Sequence, residues 1–382
     1  VTPGCPFFLP RGAVIYNELI DYIRRVYRRY GFDEVITPQV FKKDLWETSG
    51  HWAYFRPDMF LTAESESKSG ELDYAFKPMN CPSHAVIFAS NKRSYRDLPL
   101  RLADFGRLHR NERSGVLHGL QRVRSLVQDD AHIFCTPGQI GAEVVANLRM
   151  VREVYDALGF EQLEFKLATM PDEHLGTEAQ WADAEAQLGD ALTKSGFAYT
   201  INPKEGAFYG PKIEFYVPDA LKRRWQLATI QLDYNLPERF KLAYTTSAGT
   251  EERPVMIHRA ILGSVERFIG ILIEHTGGVL PFWLAPEQVR VLSLSEKVED
   301  FAKALADSVK RDGYRASVDL RNEKLGFKVR EAEIAKVPYM LVVGEREAAA
   351  RTVSLRRLRG AKSETMSMEV LMQLLKNEPL PS

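Results

Sequence analysis

The chain reads as an α+β protein carrying a small α/β unit at its C-terminal end, and three features of its 382 residues support this. Strand-like runs joined by short polar loops crowd the middle of the chain, from Asp104 to Cys135 and again from Ala207 to Asn235. Strand and helix signals are mixed in order around these antiparallel hairpins, which argues α+β. Beyond residue 289 strand and helix signals alternate, as in a compact α/β unit. Length agrees with two domains, because single cores usually stop growing at about 250 to 300 residues.

In chain order, Val14, Leu19, Ile23, Val26 and Tyr30 recur near helical spacing, and Gly31 follows as a stop. GFDEVITPQV then passes through Pro38, which ends a helix-to-strand unit. A polar tip from Glu64 to Glu71 reads as an exposed hairpin loop before a strand from Leu72 to Lys77. Thr136 and Pro137 open a helix over 137–158 that buries Ile140, Val144, Leu148, Val151 and Tyr155. Leu163, Phe165 and Leu167 alternate as a strand, and 177–194 is a helix closed by Gly196. AFYGPKIEFYV and RWQLATIQLDYN are strands rich in β-branched and aromatic residues, the first broken at Gly210 and Pro211. A helix over 260–275 follows His258 and stops at Gly277 and Gly278. WLAPEQ (283–288) marks the boundary between domains 1–285 and 286–382. The second domain predicts strands at 289–294, 315–319, 338–343 and 352–358, helices at 297–311, 324–335 and 367–376, and a mostly parallel sheet.

Charge is balanced, with 51 Lys and Arg against 51 Asp and Glu, so any nucleic-acid contact relies on local patches instead of a global basic field. Three cysteines (Cys5, Cys81 and Cys135) do not make a disulfide framework and fit a reducing, cytoplasmic setting, with an organelle as the alternative. No apolar run approaches the roughly 20 residues of a membrane span, and no membrane association is expected.

Within Asp104–Cys135 alternation gathers Arg122, Arg124, Gln128, Asp130 and His132 on one face of the second strand. Val123 and Val127 then face a packed layer, while His109 and Arg110 lead into the loop carrying Glu112. Arginines, an amide, a carboxylate and an imidazole on one face suit an anionic ligand beside a small polar one. The plainer reading is a solvated antiparallel face. Cys81, His132 and His258 offer one thiolate and two imidazoles, the donor set of a zinc site with an open fourth position. Their spacing alone also fits a buried thiol and two hydrogen-bonded core histidines.

Arg110-Asn111-Glu112, the loop to Gly119 and the strand returning to Cys135 resemble motif 2 of class II aminoacyl-tRNA synthetases. QDDAHIFC, TSGHW (48–52), KPMNCPSH (77–84), EGAFYGPKIEF (205–215), TIQLDYNLPERF (229–240), HRAILGSVERF (258–268) and LRNEKLGFKVRE (320–331) resemble the threonyl-tRNA synthetases among them, in order and over nearly the whole chain. The resemblance implies an antiparallel class II catalytic sheet flanked by helices, an anticodon-binding second domain, and a homodimer with motif 1 (GFDEVITPQV) at its interface. The implied activity is threonine–tRNA ligase: ATP activates L-threonine to threonyl-adenylate, and the threonyl group passes to threonine tRNA.

Site residues follow from the resemblance. Cys81, His132 and His258 hold one zinc, which selects threonine over valine because valine has no hydroxyl to ligate. Met79, Arg110, Gln128, Asp130, Tyr209 and Gln231 line the threonine site, and Asp130 accepts the hydroxyl's hydrogen bond or orients the ligand His132. Arg110 bridges the carboxylate and the α-phosphate, Arg122 and Arg267 hold the β- and γ-phosphates with magnesium, and Glu112 reads the adenine amino group. Gln226 and Lys212 complete the nucleotide side, and Leu126 touches adenine. His51 matches the histidine implicated in transfer to tRNA, with N-capping or packing as its competing role. Asn322, Arg330, Glu347 and Arg356 match positions that read anticodon bases.

Two local departures stand out. Ser83 replaces the glycine of CPGH, and Ser125-Leu126 replaces a small or basic residue and a phenylalanine that stacks on adenine. The match also begins directly at the catalytic domain, without the N-terminal editing module many family members carry. The rival functions are a non-catalytic tRNA-binding paralogue, expected to have lost arginines or metal ligands, and a class II enzyme for serine or proline, against which Cys81, His132, His258 and Asp130 speak.

Overall fold

A computed structural model describes residues 2–63, 73–219, 222–360 and 362–379; the expected loop tip at 64–71 and Leu72 lie outside them. The chain forms two compact units, one of residues 1–7 and 23–274, the other of 8–22 and 275–382. Helix α1 (Pro10–Arg29) belongs to the second unit up to Tyr22 and to the first from Ile23. Leu19, Ile23 and Val26 are fully buried, as their spacing predicts, and Gly31 ends the segment at φ +72°. No helix among the described residues is long and apolar enough to cross a membrane.

The first unit is organised by β1 (Asp33–Glu34), then after a small three-stranded sheet of β2 (Val40–Lys42), β3 (Leu61–Thr62) and β4 (Tyr74–Phe76), by β5 (Leu100–Asp104), β6 (Arg107–His109) and β7 (Ser125–Cys135). It continues through β8 (Glu164–Ala168), β9 (Tyr199–Asn202), β10 (Lys212–Pro218), β11 (Arg224–Asp233), a hairpin of β12 (Tyr244–Thr245) and β13 (Glu251–Glu252), and β14 (Val255–Ser264). The main sheet runs β1-β5-β7-β14-β11-β10-β8-β9, with β6 paired to β7. Its centre is antiparallel, and only the outer pairs β1/β5 and β8/β9 are parallel.

Of the short helices α2 (Lys43–Ser49), α3 (His51–Tyr54) and α4 (Cys81–Ala89), α2 packs against the other two. Helices α5 (Ile140–Ala157) and α6 (Glu178–Lys194) are amphipathic: α5 buries Val144, Leu148, Val151 and Tyr155, whose hydroxyl donates to Ile261 O at 2.9 Å. The expected helix at 137–158 thus begins as a 3-10 turn, Pro137–Gln139, where Thr136 N donates to Gln139 Oε1 at 2.9 Å. The five-residue α7 (Asn235–Arg239) follows β11, and α8 (Val265–Thr276) follows β14.

Two expectations are corrected here. Residues 260–264 are strand, and the helix starts at Val265. Gly263 makes the change of direction: its φ is +73°, and a Cβ there would come within 2.7 Å of Leu227 O. The returning strand of the 104–135 hairpin starts at Ser125, since Arg122 makes only an isolated bridge to His118. Alternation therefore does not extend back to Arg122 and Arg124.

In the second unit β15 (Val289–Ser293), β16 (Ala316–Asp319), β17 (Tyr339–Val343), β18 (Thr352–Arg357) and β19 (Ser363–Ser367) form a sheet of order β16-β15-β17-β18-β19. Two of the four strand pairings are parallel and two antiparallel, because β18 alone runs against the other four strands, so the sheet is mixed where a mostly parallel one was expected. Helices α9 (Glu299–Arg311), α10 (Leu325–Ile334) and α12 (Met368–Lys376) fall where periodicity put them; α11 (Glu345–Ala350) and β19 were not anticipated. Val289, Val291, Leu305, Val309, Leu341 and Leu371 share one core, the apolar sides of α9 and α12 meeting one face of the sheet.

Candidate active site

Register across the antiparallel centre does most of the placing. His132 on β7 pairs with His258 on β14, His258 with Gln231 on β11, and Gln231 with Lys212 on β10. Opposed residues of antiparallel strands share a face, so these four side chains form one transverse row. The adjacent row carries Asp130, Ala260 and Thr229. Both rows line a cavity of about 600 Å³, into which Cys81, the first residue of α4, also projects.

Cys81, His132 and His258 are buried, and their donor atoms all lie within 4.8 Å of one another. The donor set fits a zinc ion: one soft sulfur, two imidazoles, and nitrogens held by partners on their far sides. His258 Nε2 is 2.9 Å from Asp233 Oδ2, and His132 Nδ1 is 2.8 Å from His84 Nδ1. His132 Nε2 and His258 Nδ1 face each other at 3.0 Å. Burial, reinforced by Asp130 and Asp233, pushes the Cys81 thiol well above its ordinary range, so its thiolate needs a cation beside it. Asp130 is also pushed up by burial, to about 6, with Asn80 Nδ2 donating to its Oδ2 at 3.1 Å.

Tyr209 stacks on His258 with ring centroids 4.7 Å apart, and its hydroxyl donates to Gln231 Oε1. Met79, Gln128 and Lys212 complete this end, with Lys212 Nζ 2.9 Å from Glu214 Oε1.

At the other end lie the cationic groups. Arg110 donates from Nε to Pro78 O at 3.2 Å, with Cζ 5.8 Å from the Phe55 ring centroid. Arg122 pairs with Glu112 at 2.9 Å, its side chain 51% exposed. Arg267, on α8, donates from Nε to Gln121 O at 2.9 Å and from Nη1 to Gln226 O at 3.4 Å. Gln226 and Leu126 line the same cavity.

Most of the expected site residues of this unit therefore meet in one cavity. His51 does not line it. It is fully buried behind the wall, Nδ1 2.8 Å from Ser49 Oγ and Nε2 3.2 Å from Met79 Sδ and 3.7 Å from Cys81 Sγ. Burial, then nearby His258 and arginines, lowers its pKa to about 3, so its ring is neutral near pH 7. Arg124 also departs from expectation: its backbone N donates to Gly4 O at 2.6 Å and its Nε to Glu112 O at 2.8 Å, while Val123 packs with Leu108 and Leu126 as expected and also borders the cavity. The departure of Arg124 follows from the strand starting at Ser125. Ser83 is buried on α4, and its hydroxyl has no partner among the described residues.

In the second unit Asn322 follows the carboxyl end of β16 and Glu347 lies on α11 beyond the carboxyl end of β17. Glu347 Oε2 accepts from Gly344 N at 3.0 Å. Arg330 is exposed on α10, and Arg356 on β18 is 3.4 Å from Glu333 Oε1.

Sequence reasoning missed the supports behind the site. Asp233 was legible in principle, being on the same strand face as Gln231; His84 lies three residues after Cys81 on a helix, which is facing distance. Glu266 carried no such signal: wholly buried on α8, it accepts Val127 N at 3.0 Å and ties the helix of Arg267 to the strand of Leu126.

Comparison with known proteins agrees with this geometry. Residues 60–276 match the tRNA synthetase class II core domain (G, H, P, S and T), and residues 288–378 match an anticodon binding domain. A threonine–tRNA ligase of Halorhodospira halophila is 52% identical over 377 residues, 99% of this chain and 58% of the relative. One from Bdellovibrio bacteriovorus is 48% identical over 98% of this chain and 56% of its own length. The chain thus spans little more than half of these curated relatives. The crystal structure described as the RNA binding domain of threonyl-tRNA synthetase from Cryptosporidium parvum Iowa II superposes with a TM-score of 0.95 at 49% identity, covering 100% of this chain and 95% of that one. A Giardia lamblia prolyl-tRNA synthetase in complex with prolyl-adenylate, 19% identical with a TM-score of 0.78 over 99% of this chain and 74% of that one, shares the fold. With a core match over more than half its length and close relatives along nearly all of it, the chain belongs to the class II tRNA synthetase family.

Proposed function

We propose that the chain is the catalytic and anticodon-binding part of a threonine–tRNA ligase, which converts ATP, L-threonine and threonine tRNA to threonyl-tRNA, AMP and pyrophosphate through threonyl-adenylate. The observation that carries the reading is the buried Cys81, His132 and His258 cluster in the same cavity as Arg110, Arg122 and Arg267. Zinc held by the three ligands supplies a Lewis-acid position for the amino and hydroxyl groups of threonine, which valine cannot fill. Asp130 accepts the hydroxyl's hydrogen bond. Tyr209, Gln231, Gln128 and Met79 enclose the rest of the amino acid.

Arg110, between the two ends, takes the carboxylate and the α-phosphate and aligns them for attack. Arg122 and Arg267 neutralise the remaining phosphates together with magnesium, Lys212 and Gln226 add donors, and Glu112 exchanges its pairing with Arg122 for the adenine amino group. Neutral His51 faces Met79 and Cys81, which makes it a candidate to take a proton from the tRNA hydroxyl once the wall opens. Residues 1–285 form the catalytic domain and 286–382 the anticodon-binding domain, where Asn322, Arg330, Glu347 and Arg356 read bases. A homodimer through residues 31–40 is supported by Ile36, 93% exposed in the single chain. Three free cysteines support a reducing, cytoplasmic site of action.

Threonine-dependent pyrophosphate exchange, measured together with metal content, tests the reading. Exchange with threonine but not valine, and one zinc per chain, is expected. Exchange driven equally by valine, or none at all in folded, metal-replete protein, overturns it.

A further inference from the structure

We propose, resting on the nucleotide reading above, that Arg124 is the positioning residue of the loop between β6 and β7 and that Gly4 is its anchor: Arg124 stays outside the cavity lining and sets the places of Arg110 and Glu112 through their backbone. The ladder of β6 and β7 ends where His109 pairs with Ser125, and the next pairing is the isolated bridge between His118 and Arg122. Between those points Arg124 joins the two arms of the loop with both its backbone and its side chain. Its carbonyl accepts from Arg110 N at 2.8 Å. Its guanidinium donates from Nε to Glu112 O at 2.8 Å and from Nη2 to Ser114 Oγ at 3.3 Å.

A guanidinium bound to a backbone carbonyl makes a stronger hydrogen bond than a neutral donor does. The carbonyl in question belongs to Glu112, whose carboxylate accepts from Arg122 Nε at 3.0 Å. Holding that carbonyl fixes the direction in which the Glu112 side chain leaves the backbone, and the bond to Arg110 N does the same for Arg110. Two groups assigned to the nucleotide and the carboxylate thus depend on one residue that touches neither ligand.

Arg124 is itself held from the other side. Its backbone N donates to Gly4 O at 2.6 Å, and Ser125 N donates to the same oxygen at 3.2 Å. Gly4 has φ +72°, and a Cβ there would lie 3.0 Å from Leu117 Cδ2, 3.1 Å from Arg124 N and 3.2 Å from Arg124 Cγ. Residue 4 therefore lies against both arms of the loop, in a backbone conformation and at a distance that glycine alone meets without strain. The row of side chains at the metal end is placed by strand register and takes no support from this loop, so a positioning role and a general structural one predict different losses.

The test uses the full zinc-loaded chain, comparing direct binding of magnesium–ATP, the KM values for ATP and threonine in pyrophosphate exchange, zinc content and thermal unfolding. Arg124→Leu should raise the ATP constants about tenfold, the worth of one charge-assisted hydrogen bond, with the threonine KM and zinc content unchanged. Arg124→Lys should recover part of this, to about threefold, because a lysine reaches one oxygen with a single charge and lacks the fork that serves two. Gly4→Ala, which leaves every loop side chain intact, should shift ATP in the same direction and leave threonine alone. Unchanged ATP constants in Arg124→Leu overturn the proposal, as do ATP and threonine constants that rise together with a fall in zinc content or unfolding temperature. Wild-type protein that binds magnesium–ATP without responding to threonine overturns the amino-acid reading alone, and the binding comparison still decides the role of Arg124. Wild-type protein that binds no magnesium–ATP removes both.

Discussion

His132, His258, Gln231 and Lys212 stand in one row across four hydrogen-bonded strands, whereas Arg110, Glu112, Arg122 and Arg267 reach the same cavity from a loop and a helix. At the first end, backbone register sets the positions and burial holds them. At the second, one charged side chain is restrained by another, as in the Arg122–Glu112 pair, whose arginine is half open to solvent. A metal tolerates little displacement of its ligands, while polyphosphate is flexible and strongly charged. A rigid end and an adaptable end therefore suit the two halves of a ligand made from an amino acid and ATP.

The contrast breaks most visibly at Cys81. Cys81→Ser should abolish zinc retention and lower threonine-dependent exchange by at least about 100-fold, since losing a ligand exceeds losing its support. Full metal content in that variant would mean that the thiolate is not a ligand. Arg267→Ala comes next: removing a cation aimed at phosphate should cost about 10²–10³ in rate while metal content stays at one per chain, and a variant that also lost its zinc would erase the separation between the two ends.

Leu126→Phe sharpens the comparison from the nucleotide side. An aromatic face for adenine is worth about 1 kcal/mol or more, so the KM for ATP should fall about fivefold while that for threonine stays constant. Equal shifts in both constants would refute Leu126 as an adenine contact. The smallest effect belongs to Ser83, whose buried hydroxyl has no partner among the described residues. Ser83→Ala should raise stability by about 1 kcal/mol in denaturant titration; a loss would show that the hydroxyl is satisfied in solution.

The two ends also differed in how far they could be read in advance. Strand alternation put Gln128, Asp130 and His132 on one face because the strand is regular there, and it failed at Arg124, where the chain is still in the loop. The 260–264 segment was read as helix because its apolar residues satisfy either period, and Gly263, which sets the junction, looks like any other glycine in a linear sequence. For Cys81, His132 and His258, spacing left a core reading open and the family resemblance named the set; only the paired register of β7 and β14 brings the two imidazoles together. In the second unit α11 and β19 escaped notice because a six-residue helix and a largely exposed five-residue strand carry little apolar periodicity.

Because His132, His258, Gln231 and Lys212 are placed by strand pairing, this half of the pocket is far more sensitive to insertions and deletions than to many substitutions. Removing one residue between Asp130 and Cys135, or between Val255 and Ala260, would turn a whole set of side chains to the opposite face of the sheet. The loop between β6 and β7 lies outside that pairing, so its length can drift through evolution or be altered by engineering while the histidines stay opposed. Under the proposed function, changes of nucleotide handling would thus be accessible through loop remodelling, whereas a new amino-acid specificity would have to be sought by exchanging side chains on strands of fixed length.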